Sequence, residues 1–577
     1  METQPERADV RRGPLDGRLR PVVVLLVFLA GVLICSWYSL RLGLADNWDF
    51  RNYHYYNAYA LLTGRIYFDY APAQIQSFLN PLPFVPTYLL AGNFSAKTTG
   101  FVMGGIHGLS FGLIFIMGLS LLSAFHWIMR LLIALACAAI GIYSPSFLAE
   151  LGSSSSDSMS ALFVLAATCA LVVTITAKGA PDARSARRGI IIGGLLMGFA
   201  GGLKLTAAAF LPAAFLALLL TSRSRRSAMP TGLWFAGAAF AGSLLSRGYW
   251  MAFLWKRFDS PLFPFYNRIF RSEYFDLINW SDRHCVPSKL WNCIRMPFLF
   301  LDDNNITEQA YNFRDGRYAV IGVLIIILLF VLLLCAFRRK RRTSTPPGVG
   351  RAAAFLVIAF GISFYLWVAL FSIYRYTVAL EFISGVVIVS LIFLITQRTY
   401  ARLAMILAAF VLVAVVMKPG WYPRRGEWPE KYVTVQVPEL ERPADTIILM
   451  ISDDPYSYVI PFFPPEIRFV GLWSTYAKRR RGSDKSHRGN REMMQLVKAH
   501  EGPLYVLARS LDHDPNNKFQ ELGLRIVEQE ESPAQSDRGL LSDEPALPPA
   551  GGTSTMPLKV QTSFDGALYL WPVEIKK

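Results

Sequence analysis

Eleven apolar runs, each close to the length of a bilayer crossing, limit what this chain can fold into. They fall at about 21–40, 101–123, 126–144, 158–177, 189–203, 205–220, 231–250, 318–337, 351–371, 377–396 and 403–418. A helix needs roughly 20 apolar residues to cross the hydrocarbon core. Lipid offers the backbone no hydrogen bonds, so runs of this kind must satisfy themselves as helices. The fold class expected is an all-α polytopic membrane protein of about 11 transmembrane helices, followed by a C-terminal external α/β domain. The pair 189–203 and 205–220 is interrupted at Gly201-Gly202-Leu203-Lys204. It reads as two crossings or as one re-entrant hairpin, and either choice leaves the later spans on the same sides.

Charge supplies the orientation. The 577 residues carry 58 Lys and Arg against 41 Asp and Glu, a formal charge of +17. A surplus of that size suits nucleic acid, but here the basic residues flank the apolar runs. With residues 1–20 as a cytoplasmic N-terminus, segments 178–188, 221–229, 338–350 and 397–402 fall on the cytoplasmic side, and all four are basic. Cytoplasmic loops of membrane proteins have this bias, so no nucleic-acid partner is expected. No small-x-small cleavage site follows 21–40, and Trp37-Tyr38 stands at its outer end, so that span reads as a retained anchor. Loops 41–100 and 251–317 and the tail 419–577 then lie outside. Within the tail, TIILMIS, IRFVGLW, GPLYVLAR and ALYLWPVEI read as strands, 491–500 as a helix and 531–556 as a flexible segment. The basic run 478–491 is either a solvated loop or a contact for anionic headgroups.

Loop 251–317 holds Cys285 and Cys293, whereas Cys35, Cys137, Cys169 and Cys335 lie in predicted spans. Two cysteines in an oxidising loop are expected to form a disulfide, with two thiols as the alternative. His284 and this pair are too few for zinc. No Walker loop, dinucleotide fingerprint, HExxH or nucleophile elbow occurs, which weighs against ATP-driven transport and zinc proteolysis.

The first external stretch, Ala45 to Pro83, places Asp46, Asp49 and Asp69 beside six tyrosines. Tyrosine and tryptophan favour the membrane–water boundary. A short helix over 53–63 is expected to lie in that boundary, ended by Gly64, with Asp49 just before it. Carboxylates in such a place serve either chemistry on a lipid-borne group or ordinary solvation.

This order of features resembles the C-type fold (GT-C) of lipid-dependent glycosyltransferases, which hold an acidic residue at a juxtamembrane helix in the first external loop. The pattern is most similar to that of glycosyltransferase family 87. It is carried by Asp49-Phe50, Tyr53, Ala58, Leu61-Leu62, Gly64 and Tyr67, then Asn80-Pro81-Leu82-Pro83. The resemblance implies a GT-C-like transmembrane domain over 21–418. It also implies a hexosyl- or pentosyltransferase moving a sugar from a polyprenyl-phosphate donor to a lipid- or glycan-linked acceptor, with inversion. The implied partners are that donor, membrane lipids and a glycan or glycolipid acceptor. The implied place is a bacterial inner (plasma) membrane, crossed many times, with the active site facing the periplasm.

Such a reaction needs a base for the acceptor hydroxyl and cations for the departing lipid phosphate. On the resemblance, Asp49 supplies the base, with Asp46 competing for the role. Arg375 and Lys204 are the foremost phosphate partners and Arg247 a further one. Lys204 has the alternative of snorkelling to water, and Arg375 that of pairing with Glu381. Asp157 either caps its helix or orients the acceptor, and Tyr53 and His54 lie beside the proposed base. Asp69 and Asp302-Asp303 read as solvated loop residues. No metal set is specified, although these carboxylates leave a divalent cation open. The rival classes are a transporter or flippase of lipid-linked glycans, which needs charges along several spans, and a glycan polymerase or ligase using loop 251–317.

Overall fold

The computed structural model describes residues 19–123, 125–177, 183–303, 307, 312–337, 347–420, 425–472, 476, 487–509, 522–527 and 557–575. The expected cytoplasmic N-terminus up to residue 18, most of the basic run 478–491 and the flexible segment 531–556 lie outside the described residues.

Among the described residues, nine helices are long and apolar enough to cross a membrane. They are Arg20–Leu42, Ala96–Leu121, Ser156–Thr176, Ala183–Leu203, Arg225–Phe258, Gly316–Phe337, Gly348–Leu370, Tyr374–Ile395 and Thr399–Val416. Trp127–Ile142 and Leu205–Leu220 are apolar but shorter. Every expected span is thus helical, and the protein is a multi-pass membrane protein. The chain divides into two compact units: 1–45, 97–249 and 281–428, and 46–96, 250–280 and 429–577. The tail therefore does not stand alone, because parts of both external loops fold with it.

In the first unit, two very apolar helices have different surroundings. The most apolar stretch of Tyr374–Ile395 is 89% buried, whereas that of Gly316–Phe337 is 17% buried. A helix apolar all round is either the centre of a bundle or a lipid-facing span, and this unit has one of each. Helices Leu19–Leu42 and Ala96–Leu121 meet through small residues. A Cβ on Gly108 would lie 2.8 Å from the Cβ of Cys35, so only glycine permits this approach. At Lys204 the backbone is extended (φ −140°, ψ 124°), and Leu205–Ala209 resumes as a 3-10 turn before helix Phe210–Leu220. The interruption expected at 201–204 is a real break, and it puts Lys204 at a helix end.

The second unit is a mixed α/β domain. Among the described residues its sheet has seven strands: β1 (Val435–Gln436), β2 (Ile447–Met450), β3 (Arg468–Val470), β4 (Leu504–Ala508), β5 (Leu524–Ile526), β6 (Leu558–Thr562) and β7 (Gly566–Ile575). The order is β1-β6-β7-β4-β2-β3, with β5 also on β7. Strand β2 pairs in parallel with β3 and β4, and the other pairs are antiparallel. All four residues of β2 are buried, as an apolar run in the parallel part of a sheet requires. Helix Arg488–Lys498 lies in the chain between β3 and β4. The loop-derived part begins with a π-helical turn, Phe50–His54, which runs into helix Tyr55–Thr63. Gly64 ends it in the left-handed region, at φ 76°. Tyr55 through Ala60 are buried. Phe50 packs 5.3 Å from the Tyr432 ring and 5.7 Å from that of Phe564. The helix expected at a lipid boundary is core to its own unit, because its aromatic side chains pack on tail residues.

Candidate active site

The two competing carboxylates have different surroundings. Asp46 Oδ1 lies 3.0 Å from Arg51 Nε. Arg51 also donates to Asp565 Oδ1 at 2.8 Å, and Asp565 accepts from Arg509 at 2.8 Å and from the Tyr458 hydroxyl at 2.7 Å. Asp46 therefore belongs to a chain of ion pairs that ties the loop to the tail residues of its unit. Asp49 is half-buried, immediately before the π-helical turn, and makes no capping bond to it. The cap comes from Asn47, whose Oδ1 accepts from Phe50 N at 2.6 Å. Tyr53 and His54 are buried, with the His54 ring stacked 4.1 Å from Phe84 and the Tyr53 ring edge-on to Phe84 at 5.4 Å.

Asp69 departs from the solvated role expected of it. Arg65 grips both its oxygens, at 2.8 and 2.7 Å, while Tyr56 donates at 2.9 Å and Phe469 N at 3.0 Å. Burial pushes its carboxyl above the usual range, and the Arg65 bonds oppose that. Asp303 also has partners: Arg314 donates to it at 2.7 and 3.1 Å and Lys418 at 3.0 Å. Hydrogen bonds from Arg314 and then Lys418 lower its carboxyl to about 2.

In the membrane unit, three predicted residues come together. Lys204 Nζ lies 2.5 Å from Asp157 Oδ1, and 4.8 Å from the centroid of Tyr376. Asp157 and Arg375 line one cavity of about 10 Å³ with Thr206 and Tyr376, room for about one water. Lys204 is thus engaged by a carboxylate rather than by snorkelling. The cap of helix Ser156–Thr176 is Ser155, which accepts from Asp157 N at 3.1 Å, leaving the Asp157 side chain to Lys204. Glu150, which the sequence reading passed over, accepts from Ser158 N at 3.1 Å and Ser158 Oγ at 2.7 Å. Desolvation first, then the charge of Asp157, push its carboxyl up to about 8. The available signal was an acidic residue seven positions before Asp157 at the same end of the span.

The pairing of Arg375 with Glu381 is not formed. Glu381 lies 3.3 Å from Arg317, which also binds Asp315 at 2.5 Å, and the Tyr374 hydroxyl donates to Asp315 at 2.5 Å. Ser146 N and Phe147 N donate to Glu381 at 3.2 Å each. Asp315, Arg317 and Glu381 are all fully buried. Arg247 is 4% exposed on helix Arg225–Phe258, and its Nε has no hydrogen-bond partner among the described residues. The disulfide expected between Cys285 and Cys293 is absent. The Cys285 thiol donates to Thr307 O at 3.4 Å, while Cys293 packs from helix Leu290–Leu299 against the apolar core, so the two sulfurs serve different contacts. Among the described residues, no three His, Cys, Asp or Glu side chains gather where they could hold a metal ion.

No family profile matches the chain, and no curated protein matches it in sequence. Solved structures are similar to it, and they include the following two. One is ArnT from Cupriavidus metallidurans bound to undecaprenyl phosphate, at 17% identity and TM-score 0.40, covering 69% of this chain and 64% of that one. The other is the oligosaccharyltransferase AglB from Archaeoglobus fulgidus in complex with an inhibitory peptide and a dolichol-phosphate. It is 12% identical, with TM-score 0.43, covering 88% of this chain and 71% of that one. The chain thus spans less than two thirds of the length of ArnT.

Proposed function

We propose that the protein is a GT-C-type glycosyltransferase. It takes a sugar from a polyprenyl-phosphate donor and passes it, with inversion, to a lipid- or glycan-linked acceptor on the outer face of a bacterial inner membrane. The observation that carries this reading is the cluster of Lys204, Asp157, Arg375 and Glu150 in the membrane unit. Charge is costly next to hydrocarbon and is retained where it handles a charged ligand. In this reading Lys204 and Arg375 stabilise the departing lipid phosphate. Asp157 positions Lys204, and its carboxylate keeps the cation ordered until a phosphate competes for it. Asp49 accepts the proton of the acceptor hydroxyl as the new bond forms. Asp46 is engaged by Arg51 and is the weaker choice for that step.

The buried groups Asp315, Arg317 and Glu381 are paired with one another rather than lining an open route, which gives the flippase alternative no support. The test is incubation of purified protein with labelled polyprenyl-phosphate sugars and a membrane-derived glycan fraction. Label should pass from donor to acceptor. Absence of transfer from every polyprenyl-phosphate hexose and pentose would overturn the reading.

A further inference from the structure

The α/β unit contains a pocket of about 310 Å³ that no step above uses. It lies among Tyr67, Tyr70, Trp250, Phe253, Arg257 and Glu492, all within that unit. Trp250 is 1% exposed, and its indole N–H donates to Phe78 O at 3.0 Å, which fixes the ring as part of the floor. Tyr67 is 74% exposed and stands edge-on to Phe253 at 5.1 Å, forming the rim. The polar side is built around Glu492. Its Oε1 accepts from Tyr274 at 3.2 Å and from Arg488 at 2.9 Å, and its Oε2 lies 3.6 Å from Arg257. Arg468 also lines the pocket, with its guanidinium 4.4 Å over the Phe68 ring and, among the described residues, no hydrogen-bond partner on Nε.

We infer that this pocket binds one sugar ring of the acceptor, so that the acceptor is a glycan recognised by the α/β unit. The assignment to the acceptor rests on the proposed function. The sugar-binding chemistry rests on the pocket alone. A pyranose presents a C–H face that packs on aromatic rings and an edge of hydroxyls that both donate and accept. The pocket supplies ring faces on its floor and rim, a carboxylate that accepts, and a guanidinium that donates. A long, half-exposed ion pair such as Arg257–Glu492 is worth little, so hydroxyls can replace it at small cost. An acyl chain would bring no hydrogen-bonding group to the polar side formed by Glu492 and Arg257 and would cover it with hydrocarbon. A phosphate would meet the Glu492 charge. The volume is at the low end of the roughly 300–1,000 Å³ range of ligand pockets, which suits one ring rather than a chain. Asp69 also lines the pocket, but Arg65, Tyr56 and Phe469 N occupy it, so it acts as wall.

The test uses the full chain in a non-glycosidic detergent. Saturation-transfer NMR is run with free glucose, galactose, mannose, N-acetylglucosamine and glucuronate at millimolar concentration. At least one sugar should show transfer to its ring C–H protons. Tyr67→Ala and Glu492→Gln should each weaken its binding by about tenfold or more, with melting temperatures unchanged. No signal from any of the five, or equal binding by both variants, overturns the inference. Sugar transfer from a polyprenyl-phosphate donor without a pocket signal sinks the pocket and leaves the proposed function. A pocket signal without transfer from any donor supports saccharide binding and sinks the proposed function.

Discussion

Lys204 and Asp157 form an ion pair of 2.5 Å at a break between two helices, with side chains only 18% and 8% exposed. Removing one partner of such a pair leaves the other charged and desolvated. Lys204→Ala should therefore destabilise the protein by about 3–5 kcal/mol. Lys204→Gln combined with Asp157→Asn should recover most of that loss, because neither charge then remains. Unfolding in detergent measures both. A Lys204→Ala protein as stable as the wild type would mean that Asp157 has another counter-ion.

Asp49 and Asp46 should separate in a double readout. Asp49→Asn keeps size and hydrogen bonding but loses proton acceptance, so transfer should fall by roughly 100-fold or more while melting stays constant. Asp46→Asn weakens the bond to Arg51 and with it the chain through Asp565. That variant should melt earlier and retain turnover. The reverse pattern, with Asp46→Asn inactive and stable, would transfer the base role to Asp46.

Arg375 and Arg317 should separate in the same way. Glu381 is held by Arg317, so Arg375→Ala should leave that buried carboxylate paired and raise the donor KM. Arg375→Lys should do so less, because it retains the charge but not the planar fork. Arg317→Ala strips two buried carboxylates of their cation and should cost about 3–5 kcal/mol. Donor titrations of the two Arg375 variants and unfolding of all three check this. A large stability loss in Arg375→Ala with unchanged donor affinity would make Arg375 structural.

What the sequence disclosed follows from the range over which each signal acts. The apolar runs and the break at Lys204 are local, and hydrophobic periodicity reports them directly. The strands at 447–450, 468–470, 504–508 and 566–575 were legible as apolar runs, whereas the two residues of β1 and three of β5 were too short to show. The partners were not legible. Arg51 meets Asp565 across 514 residues of chain, and Phe469 N meets Asp69 across 400. Neither spacing nor composition encodes such pairs, so Asp69 looked solvated. Arg317 lies in the first turn of the very apolar helix Gly316–Phe337 and did not stand out beside the more prominent Arg375. The cysteine pair misled because proximity in sequence says nothing of where two side chains point.

Glu150 gives the protein a pH dependence of definite sign. In the unfolded chain a glutamate titrates near 4.3, whereas burial and Asp157 push Glu150 up to about 8 in the folded one. Between those values the folded state holds a proton that the unfolded state has released, so stability falls as pH rises through the window. It is fully present below about pH 4.3, where both states are protonated. Asp303 acts in the opposite sense. Arg314 and Lys418 lower it to about 2, so its contribution is present above the ordinary aspartate value and is lost as pH falls through about 2. The two windows do not overlap, which makes the Glu150 effect separable. Glu150→Gln can still accept from Ser158 but cannot titrate. Wild-type protein should lose melting temperature steadily between about pH 5 and 8, while the Gln variant stays flat over that interval and the two coincide at the acid end. Melting curves at closely spaced pH values in one detergent decide it. A Gln variant that declines in parallel with the wild type would assign the titration to another group.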